Sequence, residues 1–211
     1  MIEAVISDFG GVLTSPLMEA FARLQEHDDT PPKAYGEAMA HSLAHDGVHP
    51  LFALERGEIT ERDFLLRLEN GLADAAGLNV SLHGFGARLM AALRPNEALF
   101  ERYRQLNRDH GLRFALCTNN VREWESLWRP KLPIDEVFEV VVDSAFVGMR
   151  KPEPAIYALT LERLGLPGEA CAFIDDLEVN VVAAQEAGMQ GIVFRDTVSA
   201  LAELESLLHD A

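Results

Sequence analysis

The stretch IEAVISD at residues 2–8, followed by Phe9-Gly10-Gly11-Val12-Leu13-Thr14, is the part of the sequence that decides the expected fold. It is a short, mainly apolar segment that ends at an acidic residue. Residues 112–118, 137–143 and 170–175 have the same form, and residues 190–194 resemble them. Short apolar strands of this kind are typical of a parallel sheet that is covered on both faces. The sequence therefore predicts five parallel strands.

The segments between these strands have helical spacing of apolar residues. Residues 96–110, 154–164 and 177–187 are each followed by a glycine, which commonly stands just past the last turn of a helix. The alternation predicts an α/β sandwich. Residues 16–93 break it, because they contain no convincing strand and several amphipathic helical patterns, at 17–27, 33–45 and 61–72. Such an insertion is expected to cover the carboxyl edge of the sheet, where ligands bind in open α/β folds.

The composition limits the classes of function. The chain has 211 residues, 48% of them hydrophobic, and a net charge of −16, which disfavours nucleic-acid and anionic-membrane partners. There is no apolar run of about 18 residues, and residues 1–8 read as a buried strand rather than a cleavable leader, so we expect a cytoplasmic protein. Cys117 and Cys171 lie in apolar runs without metal-ligand spacing and are predicted to be reduced core thiols.

Polar residues stand at the ends of the first two predicted strands. Asp8 is followed by two glycines that let the backbone approach a ligand closely, which suits a nucleophile or a metal ligand. An aspartate that ends a strand is also common without a function. Thr118 and Asn119 offer a hydroxyl and backbone N–H groups that could bind phosphate oxygens, although capping of the next helix is the alternative.

Two further motifs carry charge. Lys151 precedes Pro152 and Pro154, which restrict the backbone and would hold its ammonium in a fixed place; a solvated surface lysine is the alternative. Asp175 and Asp176 end the fourth predicted strand, and two adjacent carboxylates repel each other. A divalent cation would relieve this repulsion, and oxygen ligands favour Mg²⁺, whereas a pair of helix caps is the simpler explanation.

The order of these four motifs at successive strand ends resembles the haloacid dehalogenase superfamily, and most closely the subgroup that includes the N-terminal phosphatase domain of soluble epoxide hydrolases. The resemblance covers essentially the whole chain. It implies a Rossmann-like three-layer sandwich with sheet order 5-4-1-2-3, a core domain of residues 1–15 and 94–211, and a helical cap of residues 16–93. It also implies a Mg²⁺-dependent phosphatase acting on small phosphorylated metabolites. No pattern indicates the oligomeric state.

By the same resemblance, Asp8 would attack the substrate phosphorus and form an aspartyl-phosphate. Thr118, with the backbone of Asn119, would bind the transferring phosphoryl group, and Lys151 would balance the charge of nucleophile and phosphate. These roles are physically reasonable, because phosphoryl transfer depends mainly on positioning and charge neutralisation.

The resemblance also assigns a metal site. Asp176 would ligate Mg²⁺ together with Asp8 and the backbone carbonyl of Gly10. Asp175 and Asn180 would stand beside these ligands in supporting positions.

Gly10 departs from the usual family pattern, in which a second aspartate two residues after the nucleophile acts as general acid and base. Such help is typically worth about 10² to 10⁴-fold in rate. We therefore expect slow turnover, or a preference for acidic leaving groups, unless Asp175 or a histidine of the cap (His41, His45 or His49) carries the proton instead.

Two other functions are compatible with the fold. A 2-haloacid dehalogenase shares the aspartate nucleophile and needs no metal, but Asp175 and Asp176 argue against it, since the strand tip of those enzymes is uncharged. A non-catalytic protein that senses a phosphorylated metabolite or binds a partner is made plausible by Gly10, whereas the presence of Asp8, Thr118, Lys151 and Asp176 favours an enzyme.

Overall fold

The computed structural model describes residues 1–209. Its centre is a sheet of five parallel strands in the order β3-β2-β1-β4-β5, which confirms the predicted order read from the other edge. The strands are β1 (Ala4–Ser7), β2 (Arg113–Thr118), β3 (Val140–Asp143), β4 (Cys171–Asp175) and β5 (Gln190–Val193). β3 is shorter than predicted because Val137 and Phe138 donate backbone hydrogen bonds to Ile134 O in the preceding turn instead of joining the sheet.

Eleven α-helices are found within residues 1–209. They are α1 (Leu17–His27), α2 (Ala34–Asp46), α3 (Pro50–Glu55), α4 (Glu61–Ala76), α5 (Phe85–Ala92), α6 (Glu97–His110), α7 (Glu125–Trp128), α8 (Ser144–Val147), α9 (Pro154–Leu164), α10 (Glu178–Glu186) and α11 (Thr197–His209). No helix of this described part of the chain is long and apolar enough to cross a membrane.

The helix ends follow local chemistry. Gly111 and Gly165 adopt left-handed conformations after α6 and α9, as the glycine pattern predicts. Thr60 and Asp63 form a reciprocal capping box at the start of α4. Gly47 ends α2 at Asp46, so the three histidines at positions 41, 45 and 49 do not lie on one unbroken helix.

Alternate strand residues face opposite sides of the sheet and build two cores. Ala4, Ile6 and Phe173 pack on one side in a cluster that includes residues of α9 and α10. Val5 and Phe114 face the other side, in a larger cluster with residues of α6, α11 and the helices between β1 and β2. The result is a three-layer sandwich, because both faces of the sheet are covered.

The helices α1 to α5 enclose an aromatic cluster. Phe85 lies at its centre, with ring centroids 5.9 Å from Tyr35, 6.1 Å from Phe21, 6.4 Å from Phe64 and 6.5 Å from Trp124. Because Trp124 follows β2, this cluster joins the helical segment to the sheet side of the molecule.

The strand register brings the predicted site positions to one edge of the sheet. Ser7 is paired with Leu116 on one side and with Ile174 on the other, so Asp8 follows at the level of the ends of β2 and β4. Cys117 and Cys171 are buried and free, on strands separated by β1, as expected for reduced core thiols.

Candidate active site

A buried ammonium group joins the ends of β1 and β4. Lys151 Nζ lies 2.8 Å from Asp8 Oδ1 and 2.6 Å from Asp175 Oδ2, and the lysine is only 1% exposed. Burial alone would lower the pKa of Lys151, but the charges of Asp175 and Asp8 raise it above its usual value. The ammonium therefore stays charged at the bottom of the site, which excludes the surface-lysine alternative.

Asp175 has both carboxylate oxygens engaged. Oδ1 accepts hydrogen bonds from Leu177 N at 2.9 Å and from Asn180 Nδ2 at 3.0 Å, while Oδ2 accepts from Lys151. Asn180 is itself held by the Tyr157 hydroxyl, which donates to its carbonyl oxygen at 2.9 Å. Asp175 thus orients the lysine and the turn after β4, and its side chain is fully buried.

Three carboxylates converge beside this lysine. Oxygens of Asp8, Asp175 and Asp176 lie within 4.8 Å of one another. Burial raises the pKa of Asp8 to about 7 even though Lys151 opposes the shift, and the charges of Asp175 and Asp176 add to it. Burial, followed by the charge of Asp175, raises the pKa of Asp176 to about 6. A divalent cation would offset this repulsion, and an all-oxygen donor set fits Mg²⁺.

The two glycines after Asp8 have different surroundings. Gly11 has φ +81°, and a Cβ atom built on it would lie 2.3 Å from Asp176 Oδ2, so only glycine lets the backbone pass so close to that carboxylate. Gly10 has open space around the same position, with no atom within 4 Å. The missing side chain at residue 10 therefore leaves room in the site.

The turn after β2 fixes the segment that carries Lys151. Asn119 Nδ2 donates to Lys151 O at 3.0 Å, and Lys151 N donates to Asn119 Oδ1 at 2.8 Å. Thr118, at the end of β2, is buried beside it. The sequence indicates the backbone of Asn119 as a phosphate ligand but gives no sign of this side-chain contact, because the two residues are 32 positions apart.

A cavity of about 70 Å³ lies between the sheet edge and the helical segment. Its wall is mostly apolar, and Gly10, Thr118 and Asn119 form the side toward the charged centre. The remaining lining residues are Phe9, Leu17, Phe21, Leu51, Glu55, Phe64, Phe85, Leu89, Met90, Leu93, Asn120, Val121 and Trp124. The arrangement is a charged centre of three carboxylates and one ammonium beside a small, mostly apolar cavity.

Two ion pairs connect the end of α3 with the segment around Lys151. Arg150 Nε donates to Glu55 Oε2 at 2.6 Å, and its guanidinium lies 3.9 Å from the centre of the Phe52 ring. Arg56 Nε donates to Glu153 Oε1 at 2.8 Å. The partners of Glu55 and Arg56 are nearly 100 residues away along the chain, so a single sequence gives no signal of these contacts.

The predicted histidines lie elsewhere. His41 and His45 border an outer cleft with Asp46 and Asp74, and His49 stacks on Phe52 with a centroid distance of 4.2 Å. Among residues 1–209, Asp8, Asp175 and Asp176 form the only group of three or more potential ligand side chains close enough to share a metal ion, and none of these histidines belongs to it.

Comparison with known proteins places the chain among relatives of several activities. It is 31% identical over 212 residues to acyl-CoA dehydrogenase family member 10 of Mus musculus, covering 97% of this chain and 19% of the relative. It is 28% identical over 214 residues to bifunctional epoxide hydrolase 2 of Rattus norvegicus, covering 95% of this chain and 38% of the relative. The chain thus spans well under half the length of either protein.

A shorter sequence match and a match to a solved structure were also found. Glyceraldehyde 3-phosphate phosphatase of Pyrococcus abyssi is 32% identical over 91 residues, 42% of this chain and 37% of that protein. The crystal structure of the HAD family enzyme BT-2542 from Bacteroides thetaiotaomicron, in complex with magnesium and inorganic phosphate, has a TM-score of 0.63 at 23% identity and covers 91% of this chain and 93% of that one.

The family model for the haloacid dehalogenase-like hydrolases matches residues 2–188, which include the whole span from β1 to the end of α10. This match confirms the resemblance drawn from the strand-end motifs. The chain belongs to the haloacid dehalogenase-like hydrolases.

Proposed function

We propose that this protein is a Mg²⁺-dependent phosphatase that hydrolyses small phosphate monoesters through an aspartyl-phosphate on Asp8. The observation that carries the proposal is the buried contact of Lys151 with Asp8 and Asp175, beside the carboxylate of Asp176. A site of this kind combines a nucleophile with fixed positive charge, which is what transfer of a dianionic phosphoryl group requires.

In the first step, a carboxylate oxygen of Asp8 forms a bond to phosphorus while the bond from phosphorus to the ester oxygen breaks, and the leaving group takes up a proton. In the second step, water attacks the phosphorus, a proton is removed from the water, and Asp8 and inorganic phosphate are released. Lys151 offsets the charge of nucleophile and phosphate throughout, and Thr118 with the Asn119 backbone holds the phosphoryl oxygens.

The metal would be held by Asp8, Asp176 and the backbone carbonyl of Gly10, with Asp175 and Asn180 in support. When bound, Mg²⁺ supplies positive charge to the phosphate oxygens and to the carboxylates that repel one another. The raised pKa values of Asp8 and Asp176 support this assignment, because both carboxylates are poorly stabilised by the protein alone.

The cavity favours a compact apolar group on the phosphate rather than a sugar. Most of its lining side chains are aromatic or aliphatic, and its volume is only about 70 Å³. A sugar buried there would leave most of its hydroxyls without partners, which costs about 1–3 kcal/mol for each unsatisfied group. We propose that residues 16–93 act as the cap that closes over this compartment and that residues 1–15 and 94–211 form the core. Residues 210 and 211 of that core lie outside the described residues.

The net charge of −16 argues against nucleic-acid and anionic-membrane partners, which supports small phosphorylated metabolites as the substrates of a proposed cytoplasmic enzyme. The test is a screen of phosphate monoesters with Mg²⁺ and with excess chelator, run on the wild type and on Asp8→Asn. We expect turnover that requires both Mg²⁺ and Asp8. Tight binding of a phosphorylated metabolite without any turnover would instead favour the non-catalytic function.

A further inference from the structure

The Gly10 position leaves the proton transfers of the proposed reaction without a carrier. Asp175 cannot take this part, because both of its oxygens already accept hydrogen bonds in a fully buried environment. His41 and His45 border the outer cleft, His49 stacks on Phe52, and none of the three lines the cavity beside Gly10. Asp175 and the histidines, which the sequence suggests as proton carriers, are therefore unsuitable, because Asp175 has no free oxygen and the histidines lie outside the cavity.

Glu55 is the one carboxylate among the residues that line the cavity, together with Gly10 and Thr118. Its side chain is 14% exposed. Oε2 accepts the hydrogen bond from Arg150, whereas Oε1 forms no hydrogen bond within residues 1–209. One oxygen of Glu55 is thus held in place while the other is available to a substrate oxygen or a water molecule.

The surroundings of Glu55 suit a group that both gives and takes a proton. Burial raises its pKa, while the charges of Arg150, Lys151 and Arg56 oppose the shift. Arg150 is itself held against the ring of Phe52, which fixes the direction from which it contacts the carboxylate. A proton carrier works best when its pKa is near the working pH, and burial moves a glutamate in that direction.

We propose that Glu55 carries the protons in this site, in place of the aspartate that is absent at position 10. In the acid form, the proton is on Oε1 while Oε2 keeps the hydrogen bond from Arg150, and Oε1 donates this proton to the ester oxygen as the bond to phosphorus breaks. The resulting carboxylate then takes a proton from the water that attacks the phosphorus of the aspartyl-phosphate, which restores the starting state. The inference rests on the proposed phosphatase function.

The test compares Glu55→Gln with Glu153→Gln by rapid-quench kinetics, using an aryl and a simple alkyl phosphate. Glu153 is a matched control, because it also pairs with an arginine at the same contact region but does not line the cavity. For Glu55→Gln we expect the phosphorylation rate with the alkyl ester to fall by about 10² to 10⁴-fold. The aryl ester should lose much less, and a burst of leaving group should appear because hydrolysis of the phosphoenzyme becomes slow. The Glu153→Gln variant should show neither effect.

A rescue variant separates proton transfer from a merely structural role. Gly10→Asp in the Glu55→Gln background has space for its side chain, since no atom lies within 4 Å of the added Cβ position. It should restore much of the alkyl rate and remove the burst. Glu55→Asp, which keeps the charge, provides a second reading if Glu55→Gln does not fold, and should show a weaker form of the same leaving-group dependence.

The inference would be overturned if Glu55→Gln lost the same activity with both esters, if this loss matched that of Glu153→Gln, and if Gly10→Asp did not restore it. Glu55 would then be only a contact that holds the helical segment in place. The proposed function fails in a different way, by the absence of Mg²⁺-dependent and Asp8-dependent turnover in the wild type.

Discussion

The close approach of Gly11 to Asp176 gives a prediction with a calculable size. Alanine at position 11 would have to adopt φ near +81°, which costs roughly 1–2 kcal/mol for a residue with a Cβ atom. The added Cβ would also lie 2.3 Å from Asp176 Oδ2 and 2.6 Å from its Cγ. The carboxylate must therefore move by about 1 Å to reach an ordinary contact distance.

If Asp176 ligates the metal, a displacement of this size should lower kcat/KM by about 100-fold. Gly111→Ala is the matched control, because Gly111 also has a positive φ of +68° but has no neighbour within 4 Å of the added Cβ. Both variants should lose stability in thermal melting, with about 2–4 °C lost for each kcal/mol, and Gly11→Ala should lose at least as much as Gly111→Ala because of its added contact with Asp176. Only Gly11→Ala should also need much more Mg²⁺ for half-maximal activity.

The assay is hydrolysis of an aryl phosphate over a Mg²⁺ titration, combined with calorimetric measurement of Mg²⁺ binding. The reasoning would be refuted if Gly11→Ala had an activity and a Mg²⁺ affinity within about threefold of those of Gly111→Ala. A difference that small is well short of the effect expected for a 1 Å displacement. It would mean either that Asp176 relaxes without loss or that it is not a ligand.

Three further outcomes follow from buried charges. Lys151→Met leaves the carboxylates of Asp8 and Asp175 without their counter-ion, so it should abolish activity. It should also lower the free energy of unfolding, measured by urea titration, by about 3–5 kcal/mol, and a loss below about 1 kcal/mol would contradict this. Asp176→Ala should remove Mg²⁺-dependent activity with an unchanged circular dichroism spectrum, and activity that persists in excess chelator would exclude the metal assignment. Burial raises the pKa of Asp143 to about 6, and its Oδ2 is buried without a hydrogen bond. The unfolded chain ionises this carboxyl above its ordinary pKa of 3.8, whereas the folded protein does so only above about 6. The wild-type penalty is therefore nearly absent at about pH 3 and develops as the pH rises through 4 to 6, so Asp143→Asn should gain up to about 3 kcal/mol at pH 8 and almost nothing at about pH 3.

The strands could be predicted because local signals agreed with the global fold, whereas their order was implied by the family resemblance. Apolar runs that end in polar residues fix the strands, and glycines at positions 111 and 165 stop the helices where the spacing of apolar residues ends. The start of β3 was wrong by three residues, since Val137 and Phe138 are as apolar as strand residues but bond to Ile134 in a turn. Periodicity cannot distinguish the two uses of a short apolar run.

The positions of the charged groups were also accessible from the sequence, because carboxyl ends of parallel strands meet at one edge. Their partners were not. The pairing of Asn119 with the backbone of Lys151 and the contact of Glu55 with Arg150 depend on how distant segments dock. The apolar nature of the cavity was hidden for the same reason, since residues such as Phe21, Phe85 and Trp124 line one space only after the helices have packed.

The two ion pairs at the end of α3 limit how the helical segment of residues 16–93 can be replaced by that of a related protein. On one side the order along the chain is acid then base, Glu55 then Arg56, and on the other it is base then acid, Arg150 then Glu153. If the partners were exchanged, Glu55 would face Glu153 and Arg56 would face Arg150. Because both contacts would be repulsive, the charges favour a single orientation of the helical segment. A chimera that replaces the helical segment with that of a relative should therefore retain its orientation only if all four positions are transferred, or matched, together.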